Sequence, residues 1–459
     1  MSKIAWSKES TMSVTRRRFL SDTTAAVAGA STASLFPTAI RTNAQGVSPS
    51  DKIVVGVIGC KGMGFSDVRS LLRMDEVECG ALCDVDSNVL QERAGNIEEM
   101  TAVKPRLYSD YRELLENDDL DAVVIGTPDH WHCLQMVDAC SAGKDVYCEK
   151  PLANSVEESR LMVDAAKRYD RVVQVGQWQR SGPHWTEAMD FVHSGKLGRI
   201  RTVRAWAYMN WLPPVPVVPD EAVPPGVDYD MWLGPAPKRP FNRNRFHFNF
   251  RWYWDYAGGL MTDWGVHIID IVLWGMQATA PNSVSASGGK LAYPDDAQET
   301  PDTMTALYEF DDFLMVWEQA TMIKLGPFQR AHGIAFVGNN GTLVVDRNGW
   351  EIFPEERLDN RKVAGYRMEA RPPIIAAAGE RGLDQHTENF IDCMRTRSQP
   401  VCNAEVASLA AVNAHLGNIA FRTGTKVHWN PKQMQFQDNE KANQLTKAHY
   451  HGPWKLPQL

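Results

Sequence analysis

Apolar residues fall into two regimes along this chain. Between Lys52 and Gly176, short continuous apolar runs alternate with stretches of helical period. Ile53 to Ile58, Val77 to Leu82, Ala122 to Gly126, Asp145 to Cys148 and Val172 to Val175 read as buried strands, and Phe65 to Arg73, His132 to Ser141 and Val156 to Tyr169 read as helices. Strands that alternate with helices predict a parallel, doubly wound sheet. After Gly176 the period changes. A helix near Trp185 to His193 and a Gly-Lys-Leu-Gly turn at 195–198 lead into an alternating strand, Ile200 to Tyr208. The Pro-rich segment Pro213 to Pro240 predicts a surface loop or lid without regular structure. Met304 to Phe310, Phe313 to Gln319, Ile334 to Val337 and Thr342 to Val345, parted by Asp-Asp and Asn-Asn-Gly turns, predict an antiparallel sheet. Helices return at Asp384 to Arg395 and Ala404 to Phe421, and the tail after Pro431 reads as polar and extended. The fold class is therefore α/β, an N-terminal parallel sheet followed by a C-terminal α/β domain with a large, mainly antiparallel sheet.

Composition narrows the class. A chain of 459 residues, 44% hydrophobic and 23% charged, is a globular protein of two or three units. A net charge of −8 offers no basic stripe for nucleic acid, and beyond the N-terminus no apolar run reaches the roughly 20 residues of a bilayer span. The N-terminus itself reads as a leader over 1–45. Thr15-Arg16-Arg17-Arg18-Phe19-Leu20 fits the twin-arginine pattern, an Ala/Ser/Thr-rich run follows from Ser21 to Phe36, and small residues surround Thr42-Asn43-Ala44. Export to the periplasm is the expectation; a disordered basic leader and an uncleaved anchor are the alternatives. The eight cysteines do not form a disulfide pattern, since Cys79 and Cys83 lie about 13 Å apart on one strand and Cys133 and Cys140 share a helix, so buried free thiols are expected.

The candidate chemistry sits at strand ends. Gly59-Cys60-Lys61-Gly62-Met63-Gly64 follows the first strand and opens a helix, the place of a dinucleotide fingerprint in a Rossmann domain, here spanning 46–176. Lys61 occupies the position at which the second glycine of G-x-G-x-x-G lets a phosphate approach, and a glycine is displaced to Gly62. Asp84, 25 residues after Gly59, ends the second strand where an acid takes the ribose hydroxyls, which favours NAD, with NADP the alternative. In Gly258-Gly259-Leu260-Met261-Thr262-Asp263-Trp264-Gly265-Val266-His267, a carboxylate and an imidazole four residues apart share one face of a helix and could move a proton. Such a pair is also common as a solvated or capping pair. His130 and His132 near this pair could suggest zinc, but neither a Cys cluster nor H-E-x-x-H supports a metal.

Thr127-Pro128-Asp129-His130-Trp131-His132 and Glu149-Lys150-Pro151 stand at the C-terminal ends of later strands, where open parallel sheets bind ligands. With Gly258-Gly259 and Asp263-x-x-x-His267, these motifs resemble the Gfo/Idh/MocA family of glucose-fructose oxidoreductase and inositol dehydrogenase relatives, over nearly everything after the leader. The resemblance implies Lys150 as the active-site lysine, Glu149 as a contact to the nicotinamide ribose, Thr127, Pro128 and His132 along the cofactor, and Asp263 and His267 as the catalytic pair. His267 is then the candidate base, Lys150 the cation that steadies the alkoxide, and Asp263 the group that orients substrate or imidazole. Nine of the fifteen tryptophans lie between Trp178 and Trp274, and with Arg245 and Trp254 they suit a sugar, polyol or glycoside as well as a core or an oligomer interface. Gln177, Gln179 and Arg180 follow a strand end and are further substrate candidates. The expectation is an NAD(P)-dependent oxidoreductase in a homodimer or homotetramer, with a tightly bound, recycled cofactor. An NAD-dependent glycosidase and a non-catalytic sugar-binding protein are the alternatives.

Overall fold

The computed structural model describes residues 52–377 and 382–459. The leader over 1–45 lies outside the described residues. Six parallel strands, β1 (Ile53–Ile58), β2 (Val77–Cys83), β3 (Arg106–Tyr108), β4 (Ala122–Ile125), β5 (Asp145–Cys148) and β6 (Val173–Val175), form a sheet in the order β3-β2-β1-β4-β5-β6. The strand order reverses between β1 and β4, and this reversal opens a crevice at their C-terminal ends. Helices α1 (Met63–Leu71), α2 (Ser87–Thr101), α3 (Tyr111–Leu115), α4 (Asp129–Ser141) and α5 (Val156–Arg168) complete the crossovers. Their starts follow local chemistry, since Asp86, Asp110 and Ser155 cap α2, α3 and α5 through backbone amides of the first turn.

Beyond α6 (Pro183–His193), strand β7 (Ile200–Met209) enters a ten-stranded sheet with β8 (Ser283–Gly289), β9 (Thr303–Glu309), β10 (Leu314–Thr321), β11 (His332–Gly338), β12 (Gly341–Asp346) and β13 (Gly349–Pro354). The pairings along this sheet are antiparallel except that of β7 with β10. One face packs on α6 and on helix α8 (Val266–Met276) around Trp185, Trp317, Phe336 and Tyr308. A separate hairpin, β14 (Glu356–Asp359) with β15 (Lys362–Tyr366), projects from it.

Two expectations are corrected. The Pro-rich segment holds a short helix, α7 (Tyr229–Leu233), capped by Asp228, because the residues between Gly226 and Pro235 are free of proline. The tail after Pro431 is not extended: it forms β18 (Gln435–Phe436) and α11 (Glu440–Gln444), and Tyr450 donates a 2.7 Å hydrogen bond to buried Glu158. Late helices return across the boundary at Gly176. Helix α9 (Leu383–Thr396) contributes Phe390, Ile391 and Met394 to one face of the parallel sheet, and α10 (Ala404–Thr423) contributes Ala404, Ala407 and Ala411 to the other. The cysteines are buried free thiols. Among the described residues no helix is long and apolar enough to cross a membrane.

Candidate functional site

A cavity of ≈ 410 Å³ opens at the crevice of the parallel sheet. One wall is the turn between β1 and α1. Gly59 has φ 83° there, and a Cβ on it would sit 2.7 Å from the Thr127 amide nitrogen; only glycine fits. Helix α1 begins at Gly62 without a side-chain cap and without an acid in its first turn, so its amides and positive dipole end face the cavity. At the end of β2, Asp84 accepts hydrogen bonds from the amides of Cys60 (2.8 Å) and Asp86 (3.0 Å), which fix its carboxylate at the cavity wall. Its burial raises its pKa, and the same two amides oppose the rise. A glycine cradle, open helix amides and a fixed acid one strand over suit the pyrophosphate and adenosine ribose of NAD.

The opposite end lies past β5. Glu149 is buried, its Oε1 lacks a hydrogen-bond partner, and burial pushes its carboxyl up to about 7 against the pull of Lys150. That oxygen lies against Gly176, where a Cβ would sit 2.2 Å from it, while Glu149 as a residue lines the cavity. Lys150 donates to Asp263 Oδ1 at 2.7 Å and to the Asp263 carbonyl at 3.1 Å, and both side chains are only 12% exposed. Burial opposes ionisation of Asp263, but Lys150 and then Arg251 outweigh it and hold the carboxyl well below the usual range. Arg251 Nε lies 3.3 Å from the same Oδ1, without hydrogen-bond alignment. Asp129, on the first turn of α4, also lines the cavity, and burial pushes it up to about 8 despite Lys150 and Arg251.

Asp263 stands on a π-helical turn, Met261–Gly265, that runs directly into α8, and His267 follows one turn on. Single π turns recur at functional sites. His267 is 4% exposed, its Nδ1 lacks a partner, and burial followed by Lys150 and Arg347 holds it well below its usual pKa. The ring therefore stays neutral at neutral pH, and His267 is not among the residues that line the cavity. Its neighbours are Trp178 and Trp264, with ring centroids at 5.8 and 6.4 Å.

The structure gathers Gly59, Lys61, Gly62, Met63, Asp84, Thr127, Pro128, Glu149, Lys150 and Asp263 around the cavity. Gly64 is buried behind the turn, against Gly59 and Gly126. His132 also stands behind, its two ring nitrogens facing the carbonyls of Pro151 (2.8 Å) and Thr127 (2.9 Å), so it ties the lysine turn to the cofactor turn. Gln179 holds the His267 region, donating to the His267 carbonyl at 3.5 Å and accepting from Arg347. Gln177 accepts from Cys402, and Arg180 pairs with buried Asp270 at 2.7 Å, so both are engaged internally. Arg245 and Trp254 are not brought to the cavity: Arg245 donates to Pro240 O and Asp220, and Trp254 donates to Glu299 O. Sequence reasoning missed Arg251 and Phe248, which line the cavity from a segment with no periodic or motif signal, while His247, also at the cavity, ends the Asn242-to-His247 stretch whose residue types suit a sugar. Among the described residues no group of three or more His, Cys, Asp and Glu could hold a metal.

Comparison with known proteins agrees with this geometry. Residues 53–177 match the model of an oxidoreductase family's NAD-binding Rossmann fold, and residues 198–316 and 377–456 match its C-terminal alpha/beta domain. Glycosyl hydrolase family 109 protein 1 of Shewanella sp. (strain ANA-3) is 31% identical over 204 residues, 40% of this chain and 44% of that protein. Alpha-N-acetylgalactosaminidase of Shewanella oneidensis is 32% identical over the same shares. The match thus spans less than half the length of these relatives. Among solved structures, levoglucosan dehydrogenase in complex with NADH and levoglucosan superposes with a TM-score of 0.62 at 19% identity, covering 82% of this chain and 99% of that one. The WlbA dehydrogenase of Bordetella pertussis with NADH and UDP-GlcNAcA gives 0.59 at 20% identity, over 83% and 99%. At such identities the likeness is one of fold.

Proposed function

We propose that this chain, a member of the Gfo/Idh/MocA oxidoreductase family with its NAD-binding and C-terminal domains, oxidises a carbinol carbon of a sugar, polyol or glycoside. The observation that carries the reading is the 2.7 Å Lys150–Asp263 pair at the Glu149 end of a cavity built on a dinucleotide turn. NAD, when bound there, supplies the hydride acceptor. Lys150 steadies the oxyanion that develops at the substrate oxygen, Asp263 fixes the lysine, and neutral His267 accepts the hydroxyl proton. Glu149 holds the nicotinamide ribose, and Asp84 the adenosine ribose. A leader for export of folded protein favours a cofactor that stays bound and is regenerated within one cycle.

A second reading draws on Asp129. A carboxyl that keeps its proton to about 8 at the cavity wall is an acid placed to protonate a leaving aglycone oxygen. In that reading the sugar is transiently oxidised to a ketone, the acidified neighbouring C–H is lost with the C–O bond to the aglycone, water adds, and the ketone is reduced. The similarity to family 109 glycosidases points the same way. The test is to denature the purified protein and identify the released nucleotide, then to screen sugars and glycosides with the native protein for absorbance change at the nicotinamide. Entry of solvent deuterium beside the anomeric carbon marks elimination; its absence with net ketone formation marks dehydrogenation. A protein that neither carries nor binds NAD refutes both.

A further inference from the structure

We propose that the segment His247–Trp252 is a clasp over the dinucleotide cleft: His247 closes on Asp86 at the adenosine end and Arg251 on Asp263 at the nicotinamide end, so that NAD leaves only when both contacts open. The inference rests on the NAD reading above and adds what holds the cofactor in.

The segment is a short 3₁₀ stretch entered through His247, whose φ of 51° is left-handed, and it bears both groups four residues apart. His247 Nε2 lies 3.1 Å from Asp86 Oδ2, two residues past Asp84. Arg251 Nε lies 3.3 Å from Asp263 Oδ1, the atom that accepts from Lys150. The distances match. From the end of β2 to the end of β5 the sheet crosses three inter-strand steps, about 14 Å in all. Four residues and the long arginine side chain can reach across that span. Between the anchors, Phe248 and Phe250 line the cavity and carry the Arg251 guanidinium at 4.3 and 4.8 Å from their ring centres. Arg251 Nη1 also donates to the Phe248 carbonyl at 2.5 Å, which stiffens the strip.

The adenosine anchor is reinforced from the same side. In the Pro-rich segment, Gly226 O accepts from the Ser87 amide and the Asp228 amide donates to Val85 O, each at 2.8 Å. Second-domain backbone thus docks on the residues immediately after Asp84. Arg251 acts through Asp263 and is a positioning residue: with the clasp shut, it places a second cation against the carboxylate that holds Lys150.

The probe is NADH. Protein loaded with NADH is mixed with excess NAD, and the fall of nicotinamide fluorescence gives the dissociation rate. His247→Gln is expected to speed release about tenfold, the scale of one hydrogen bond to a charged group, and Arg251→Gln about tenfold, the scale of one close charge pair, with Arg251→Lys restoring part of the loss. NADH is expected to slow trinitrophenylation of Lys150 in the native protein, and Arg251→Gln to lose that protection, which a contact that only held the domains together would not change. Unchanged release in variants that still bind NADH overturns the clasp and leaves the NAD reading standing. Failure of the native protein to bind NADH overturns both.

Discussion

Removing either partner of the Lys150–Asp263 pair abolishes turnover under the proposed chemistry, yet the two deletions differ in stability. Taking one partner from a buried ion pair costs about 3–5 kcal/mol when the other is left uncompensated. In Lys150→Met the Asp263 carboxylate still has Arg251 at 3.3 Å, so most of that penalty is relieved and about 1 kcal/mol remains. Asp263→Asn instead leaves Lys150 and Arg251 facing one another without their shared counter-charge. Asp129, freed from the repulsion of Asp263, ionises and recovers part of the loss, so about 3 kcal/mol is expected. The difference, about 2 kcal/mol, is read from urea midpoints at constant m-value, at pH 7 and without nucleotide. Equal destabilisation, or a costlier Lys150→Met, would refute the claim that one carboxylate serves two cations. Arg251→Gln combined with Lys150→Met should raise the cost of the latter to that of Asp263→Asn.

Four further outcomes are expected, three from the geometry and one from the leader's sequence. A Cβ on Gly126 would lie 2.5 Å from Gly64 Cα, so Gly126→Ala should push the start of α1 from the sheet and weaken NADH binding at least about tenfold, whereas Gly95→Ala, with open space in α2, should raise stability by about 0.5–1 kcal/mol and leave binding unchanged. Burial holds His386 at about 4, below the ~6.5 of the unfolded chain, so acid protonates the unfolded state first and stability falls from pH 6.5 toward 4; in His386→Gln that slope, measured by denaturant midpoints, should be shallower by up to about one proton, and an identical slope would sink the assignment. Met322, Ile323, Leu325, Phe328 and Phe353 are exposed large hydrophobics on and beside the sheet; we propose that subunits pair there, so sedimentation should show Phe328→Glu shifted toward monomer. Arg16→Lys with Arg17→Lys should retain the protein in the cytoplasmic fraction if the leader directs twin-arginine export.

The legible parts of the molecule are those whose signals are local. Val77 to Cys83 and its neighbours announce a sheet through continuous apolar runs, and Gly59 to Gly64 announce a dinucleotide turn because backbone approach demands glycine at fixed spacing. The Lys150 turn was legible through its position at a strand end, and the role of the lysine through resemblance to the family. Arg251 was not, because nothing in Phe250-Arg251-Trp252 encodes that the guanidinium meets Asp263, a contact set by how two distant segments cross. Arg245 and Trp254 looked like substrate groups by residue type; Asp220, Pro240 and Glu299 engage them instead. The tail looked polar because its anchors, Tyr450 on Glu158 and Trp454 on Trp131, are single side chains without a period.

The return of α9 and α10 to the parallel sheet sets an order of events at the ribosome. Ser70 meets Asp384 and Thr387, more than 300 residues later in synthesis, which at about 5–20 residues per second is a wait of roughly 15–60 s. Until then each face of the nascent first domain lacks one of its covering helices, and the apolar ground that Phe390 and Ala407 will cover stays wet. A nascent chain halted after β6 therefore exposes apolar ground that suits a chaperone. Covering of the two sheet faces is a post-translational event that waits for nearly the whole polypeptide.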